Sequence, residues 1–228
     1  MNLLLFELRT ERHTGLVKEL RSAGLTVTVL PEDVFDAEGP TLALRLGTGA
    51  GLLLADSDAA PRQIAAIRRA GYTEPVIVMR DVRNARRAAE LLDTGADDDM
   101  VIPVKGPEVR ARLRSIARRS AGHASAQTSI GEITVFFDGR DPEVQGERVQ
   151  LSSRESVIFQ HLAMNTSRIV SKQTLYDVVY GLSDDRPFDK VIDVHICKIR
   201  KKLSAASAIG HSYIETVRRR GYTLAAPE

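Results

Sequence analysis

Tryptophan is absent from the 228 residues, cysteine occurs once, and aromatic residues together make up only 5%. The single cysteine, Cys197, excludes an internal disulfide framework and a cysteine-based zinc site, and it fits a reducing compartment such as the cytoplasm. No stretch approaches the roughly 18 continuous apolar residues of a membrane span, so no contact with a membrane is expected. The opening MNLLLFELRT lacks a basic leader and does not read as a secretory signal. Neither sign of charge dominates: 32 Lys+Arg face 30 Asp+Glu, a net charge of +2. P-loop, GxGxxG, GxSxG and HExxH patterns are all missing, and His13, His123, His161, His195 and His211 are scattered, which argues against an enzyme. Asp97-Asp98-Asp99 reads as an exposed acidic turn rather than a metal site, so neither a metal nor another cofactor is expected. What is present is ordinary for a globular chain, 43% hydrophobic and 27% charged, enough to bury two modest cores.

The balance of charge hides a local excess. Residues 1–120 hold 18 Lys+Arg and 17 Asp+Glu and residues 121–228 hold 14 and 13, so each part nets +1. Between Lys198 and Arg220, however, Lys198, Arg200, Lys201, Lys202, Arg218, Arg219 and Arg220 meet only Glu215. One lysine run is an ordinary solvated face. Two runs separated by a turn-like stretch can converge into a footprint for a polyanion.

Two patterned regions flank the small, polar stretch Ser120–Ser129, which reads as a flexible tether with a reach of roughly 17 Å. The expected organisation is a domain over 1–120, a linker over 121–129 and a domain over 130–228. In the first domain the apolar runs Leu3–Phe6, Leu25–Leu30, Gly51–Ala55, Pro75–Met79 and Met100–Ile102 alternate with helical patterns over Glu11–Ser22, Thr41–Gly47, Pro61–Ala70, Asn84–Asp93 and Pro107–Arg119. Continuous apolar strands are buried on both faces, which predicts an α/β fold: a five-stranded parallel, doubly wound sheet with any site past the carboxyl ends of its strands. In the second domain, short strands with turns at Asp138-Gly139 and Gln145-Gly146 precede helices opening at Ser152 and Ser171 and a third over about 187–206. A hairpin over Tyr213–Leu224 closes the domain. That order describes a winged helix-turn-helix.

On the third helix, Ile192, Ile196, Ile199 and Leu203 form the core stripe, leaving Lys190, Val194, Cys197, Lys198 and Lys201 opposite. A major groove admits a helix, its phosphates and guanine edges suit lysine, and a thymine methyl suits a central valine. The three consecutive arginines Arg218, Arg219 and Arg220 at the hairpin tip suit an adjacent minor groove and its phosphates. Cys197 reads as a small groove-lining residue, with a redox sensor as the alternative. An architectural DNA binder without sequence preference is a further alternative.

The segments Ile192-Asp-Val-His-Ile-Cys-Lys-Ile-Arg-Lys-Lys-Leu203 and Ile214-Glu-Thr-Val-Arg-Arg-Arg-Gly-Tyr222 resemble the effector domain of OmpR/PhoB-type response regulators, nearest their CtrA-like alphaproteobacterial branch, and Gly95-Ala-Asp-Asp98 and Ser120–His123 resemble that branch as well. The resemblance implies a flavodoxin-like receiver ahead of the winged helix, and a transcription factor binding direct repeats on double-stranded DNA as a homodimer, with AT-rich, TTAA-like half-sites. It places Lys190, Val191, Val194 and Lys198 at groove or phosphate positions, Arg218 and neighbouring Arg219 on the wing, and His195 and Lys201 at flanking backbone contacts. It assigns the 181–186 loop to RNA polymerase. It also implies a two-fold receiver interface through Arg87, Asp97, Asp98, Glu108 and Arg112, with Leu91 and Val109 expected as its apolar centre.

The receiver departs from that family. Glu7 holds the first acidic position, but Leu8 and Arg9 occupy the next two; Asp56 keeps the phosphoacceptor position, with Asp58 as a shifted alternative. Arg80 replaces the Ser/Thr, Ile102 replaces the lysine before Pro103, and the segment from Asp56 to Pro75 is a few residues short. Mg²⁺ needs several oxygen ligands, and a phosphoryl group needs partners to pull inward. Asp56 therefore reads as a vestigial acceptor, and phosphorylation-independent function is expected, with a conventional response regulator using Asp56 as the alternative. An ion pair from Arg80 or Arg9 to Asp56 is expected in place of the metal, an attraction of about 4 kcal/mol at close range before desolvation.

Overall fold

Uninterrupted apolar runs become strands covered on both faces. The computed structural model, which describes residues 1–181 and 190–226, divides into two units, Met1–Ala117 and Arg118–Glu228. In the first, β1 (Asn2–Phe6), β2 (Thr26–Val29), β3 (Ala50–Ala55), β4 (Val76–Arg80) and β5 (Asp98–Val101) pair in parallel in the order β2-β1-β3-β4-β5. The period-two alternation of strand side chains divides the apolar residues between two cores. Leu3, Leu5, Leu53, Ile77 and Met79 face α1 (Thr10–Ser22) and α5 (Gly106–Ser120). Leu4, Phe6, Leu52, Leu54 and Val78 face α2 (Gly39–Leu46), α3 (Ala60–Arg69) and α4 (Ala85–Thr94). A short 3₁₀ turn over Glu32–Asp36 was not expected from the pattern. The strand order reverses between β1 and β3, so the crevice of such a sheet opens where Glu7 and Asp56 emerge.

The stretch expected to be a flexible linker is built into the second unit. Helix α5 runs to Ser120, and β6 (Gln127–Ile130) already pairs with β7 (Ile133–Phe136). Between them the His123 ring packs at 4.6 Å on Phe137, with its Nε2 3.1 Å from the Met164 carbonyl oxygen. A polar, aperiodic composition concealed this because the stretch is anchored by one imidazole and by backbone pairing.

The meander continues through β8 (Glu143–Val144) and β9 (Glu147–Arg148), whose tight turn places Gln145 and Gly146 both at positive φ. Ser152 and Glu155 form a reciprocal capping box that starts α6 (Ser153–Met164), and Ser171 caps α7 (Lys172–Tyr180). The third helix, α8, is described over Lys190–Ala206. Its buried stripe of Ile192, Ile196, Ile199 and Leu203 joins Phe159, Leu162 and Leu175 in one core. The hairpin of β10 (Ile214–Val217) and β11 (Gly221–Leu224) leaves a three-residue loop, Arg218-Arg219-Arg220, with Arg219 in the left-handed region. These elements form a winged helix-turn-helix.

The wing is pinned to the start of α7 through Val170 and Tyr222, which exchange two backbone hydrogen bonds of 2.8 and 2.9 Å. That closeness needs Gly221: its φ is +139°, and a Cβ there would lie 2.0 Å from the Val170 carbonyl oxygen. Gly221→Ala is expected to cost the second unit about 2 kcal/mol, lowering its Tm on the order of 10 °C by calorimetry.

Candidate nucleic-acid interface and carboxylate edge

Once the isoleucine stripe enters the core, helical geometry fixes what α8 shows to solvent. Lys190, Val194, Cys197, Lys198 and Lys201 are all exposed, with Val194 at 49% among the lysines. Arg218, Arg219 and Arg220 are exposed at the wing tip. Among the described residues, the side chains of Lys198, Lys201 and these three arginines make no hydrogen bond or ion pair, so their charges are available to a polyanion.

The other basic residues of the 198–220 stretch are spent inside the fold. Arg200 donates from Nε to the Ile214 carbonyl at 2.8 Å and from Nη2 to Thr216 Oγ1 at 2.7 Å. Lys202 donates to the Gln150 carbonyl at 2.9 Å and pairs with Glu155 at 2.7 Å. Burial alone would raise the Glu155 carboxyl, but Lys202 and the capping bonds outweigh it and hold it below the ordinary range. Two expected contact residues also turn inward. Val191 is half-buried against the core, and both ring nitrogens of His195 are shielded from solvent without a partner among the described residues. Burial pushes the His195 pKa down, with Lys198 and Arg154 adding to it against Glu155. As placed, His195 offers no donor to a phosphate, which corrects its expected role. The 181–186 loop, apart from Gly181, and the expected helix residues 187–189 lie outside the described residues.

At the carboxyl ends of the strands, the acids are paired with arginines. Glu7, buried just past β1, accepts from Arg9 Nε at 2.8 Å, Nη2 at 2.9 Å and the Arg9 backbone amide at 3.0 Å. Arg9 and Arg12 also hold Asp81 at 2.8 and 2.5 Å, tying the end of β1 to the end of β4. Arg80, its side chain 5% exposed, chelates Asp99 and donates to the carbonyls of Val82 and Asn84 at 3.3 and 2.9 Å. Asp56 is bound by neither Arg80 nor Arg9, against expectation. Its partner is Arg87, whose Nη2 lies 2.7 Å from Oδ1 and 2.6 Å from the Ser57 carbonyl oxygen. Arg80 is the last residue of a buried strand and takes the nearest acid on β5, whereas Arg87, in the first turn of α4, looks across at β3. Ile102 packs against the core and Leu8 is exposed.

These residues do not fit a divalent cation. Glu7, Asp56 and Asp99 are each paired with a guanidinium group, and among the described residues no three Asp, Glu, His or Cys side chains converge on a metal position.

The expected interface residues separate. Leu91 and Val109 are 0% exposed and cannot form an apolar centre; Arg87 serves Asp56, and Asp97 is held by Arg68 at 2.6 Å and the Val76 amide at 2.7 Å. Asp98, Glu108 and Arg112 do come together, with Arg112 2.8 Å from Asp98 and 2.7 Å from Glu108. The exposed apolar residues of β5 and the adjoining α4 are Val101 and Leu92, at 39% and 41%. Leu91 and Leu92 are neighbours on α4, and the helix turns the first into the core and the second to solvent.

Burial alone would raise the Glu7 carboxyl, but its hydrogen bonds and charge interaction with Arg9, aided by Arg12, hold it below its ordinary 4.5. A folded pKa below the unfolded one stabilises the fold above about pH 4.5 and is lost as pH falls through the folded value. Glu7→Gln is therefore expected to lower stability by about 1–2 kcal/mol at pH 7, in thermal unfolding of the N-terminal unit, with the gap from wild type closing below about pH 4.

Residues 146–224 match the family model described as "Transcriptional regulatory protein, C terminal". The cell cycle response regulator CtrA of Brucella anthropi is 36% identical over 162 residues, covering 71% of this chain and 69% of that protein, and CtrA of Brucella ovis matches to the same extent. Among solved structures, the Klebsiella pneumoniae RstA DNA-binding domain in complex with the RstA box is 31% identical, covering 44% of this chain and 98% of that chain at a TM-score of 0.38. The chain belongs to the OmpR/PhoB-type response regulators, on their CtrA-like branch, and carries their transcriptional regulatory domain at its C-terminal end.

Proposed function

We propose that this chain is a sequence-specific, DNA-binding transcriptional regulator of the cytoplasm whose receiver works without phosphorylation. The observation that carries this reading is the Asp56–Arg87 pair: the residue at the phosphoacceptor position already holds a cation, in a setting where the metal ligands and phosphoryl partners are replaced by Arg9, Arg80 and Ile102. Modification shifts a two-state receiver only by its differential interaction with the two states. Here the groups that make such a difference are absent, and the guanidinium on Asp56 competes with any phosphoryl donor. A homodimer through β5 and its flanking helices is supported by the charged trio Asp98, Glu108 and Arg112 beside exposed Val101 and Leu92.

On DNA, α8 enters the major groove with Val194 against a base and Lys190, Lys198 and Lys201 toward base edges and phosphates, while Arg218 and Arg219 take the adjacent minor groove. AT-rich, TTAA-like half-sites in direct repeat are the targets this reading favours, because a narrow A·T minor groove attracts arginine.

Two measurements test these statements. Asp56→Asn is expected to bind a target duplex within a few-fold of wild type, a gap under about 1 kcal/mol, and acetyl phosphate with Mg²⁺ is expected to change neither affinity nor sedimentation. A tenfold gain on such treatment, abolished by Asp56→Asn, would restore the conventional regulator. For the interface, Lys198→Ala is expected to reduce the slope of log affinity against log salt by about one unit. Wild-type binding by both Lys198→Ala and Arg218→Ala overturns the docking.

A further inference from the structure

Asp193 stands in the first turn of α8, exposed, on the turn that also bears Lys190 and Val194. A bare carboxylate there would repel the phosphate backbone that the neighbouring lysines attract. It is not bare. Lys172, the first residue of α7, places Nζ 2.8 Å from Oδ2, and the Tyr222 hydroxyl donates to Oδ1 at 2.5 Å. Asp193 therefore meets a cation from one element and a hydroxyl from the wing, and each of its oxygens has a partner.

Tyr222 is held from several directions. Its backbone is paired with Val170, and its ring lies beneath the Arg200 guanidinium at 5.9 Å. Arg200 in turn binds the Ile214 carbonyl and Thr216 Oγ1 on the opposite strand of the hairpin. Burial first, and the bond to Asp193 second, push the Tyr222 hydroxyl up to about 12, so it stays a donor throughout the physiological range. Two residues of α8, Asp193 and Arg200, seven residues or about two turns apart, thus hold the two strands of one hairpin.

Resting on the DNA-binding reading above, we propose that Asp193 and Tyr222 form a clasp that sets the offset between recognition helix and wing, making them positioning residues for a contact that spans two grooves. In this role Asp193 is oriented toward Lys172 and Tyr222, which each hold one of its oxygens, rather than toward a base. What it fixes is the distance from Val194 and Lys198 to Arg218–Arg220. Without the clasp, the hairpin retains its fold through Gly221 and Val170, but its tip samples more positions, and the arginines lose part of their advantage as pre-oriented donors.

The test uses the full chain and a duplex that the wild-type chain selects from a random-sequence pool. Tyr222→Phe removes the hydroxyl and keeps the ring in the core; Asp193→Ala removes the acceptor from an exposed position. Each is expected to weaken binding by roughly three- to tenfold, the range of one charge-assisted hydrogen bond partly compensated by solvent. Hydroxyl-radical protection at the wing's minor groove is expected to fade in both, while guanine N7 protection under α8 persists. In an Arg218→Ala background either substitution is expected to cost less than about twofold, because the clasp acts through the wing. Melting temperatures within a few degrees of wild type establish that both variants are folded, and should Tyr222→Phe fail this control the surface variant Asp193→Ala carries the test. An unchanged footprint, or losses that multiply with Arg218→Ala, overturns the clasp. A wild-type chain that selects no sequence from the pool overturns the DNA-reading function instead.

Discussion

A guanidinium at the end of a buried strand is the constraint around which the N-terminal unit's carboxylate edge is arranged. Arg80 closes β4, between β3 and β5, where a charge without a partner costs several kcal/mol. Asp99 on β5 neutralises it, and the remaining donors take the carbonyls of Val82 and Asn84, which shapes the loop into α4. Asn84 then caps α4 by accepting from the Arg87 amide at 3.1 Å, and this orients the Arg87 side chain toward Asp56. One buried charge thus propagates through a loop and a helix cap to Asp56. The other acids follow the same rule, with Arg9 and Arg12 bridging Glu7 and Asp81.

The C-terminal unit divides its basic residues by the same physics. Arg200 and Lys202 sit where helix, strands and capping box meet, so their donors are consumed by carbonyls and by Glu155. Lys198 and Lys201, one or two positions away, fall outside that seam. Which lysines and arginines are available to a polyanion is therefore decided by helical phase against the isoleucine stripe, since all belong to one basic run. The His195 ring illustrates the boundary: one position before Ile196, it is drawn under the helix, and burial disfavours its charged form.

Much of this was legible in the sequence. The five apolar runs, the serine caps at Ser152 and Ser171, the 4-3-4 stripe of α8 and the Gln145-Gly146 turn each rest on a local rule, and their elements lie within a residue or two of expectation wherever the structure describes them. Long-range pairings were not legible. Nothing local distinguishes Arg87 from Arg80 as the partner of Asp56, because the choice depends on the rotation of α4 over β3. A signal did exist for Arg80: a charge ending an apolar central strand requires a buried acid on its neighbour, and the Asp97–Asp99 run supplied candidates. The anchoring of the 121–129 stretch was not legible for a related reason, since the packing of His123 on Phe137 is a contact that composition does not report.

The difference between a phosphoryl group and an arginine at Asp56 is one of time rather than only of charge. A phosphoryl group comes and goes with a signal, so its interactions separate two states; the Arg87 guanidinium is part of the chain and contributes equally whenever the chain is folded. Under the proposed reading, the receiver then holds one arrangement, and the occupancy of a promoter follows the concentration of the chain by mass action. Dimerisation steepens that response, because paired chains reach two half-sites together and the second contact becomes intramolecular. On that proposal a fixed receiver is still open to regulation: control would rest on the amount of chain and the strength of its self-association rather than on the phosphorylation of Asp56. On the same proposal the Asp98, Glu108 and Arg112 face and the α8–wing offset would set the threshold together, one through the dimer constant and the other through the intrinsic affinity for each half-site.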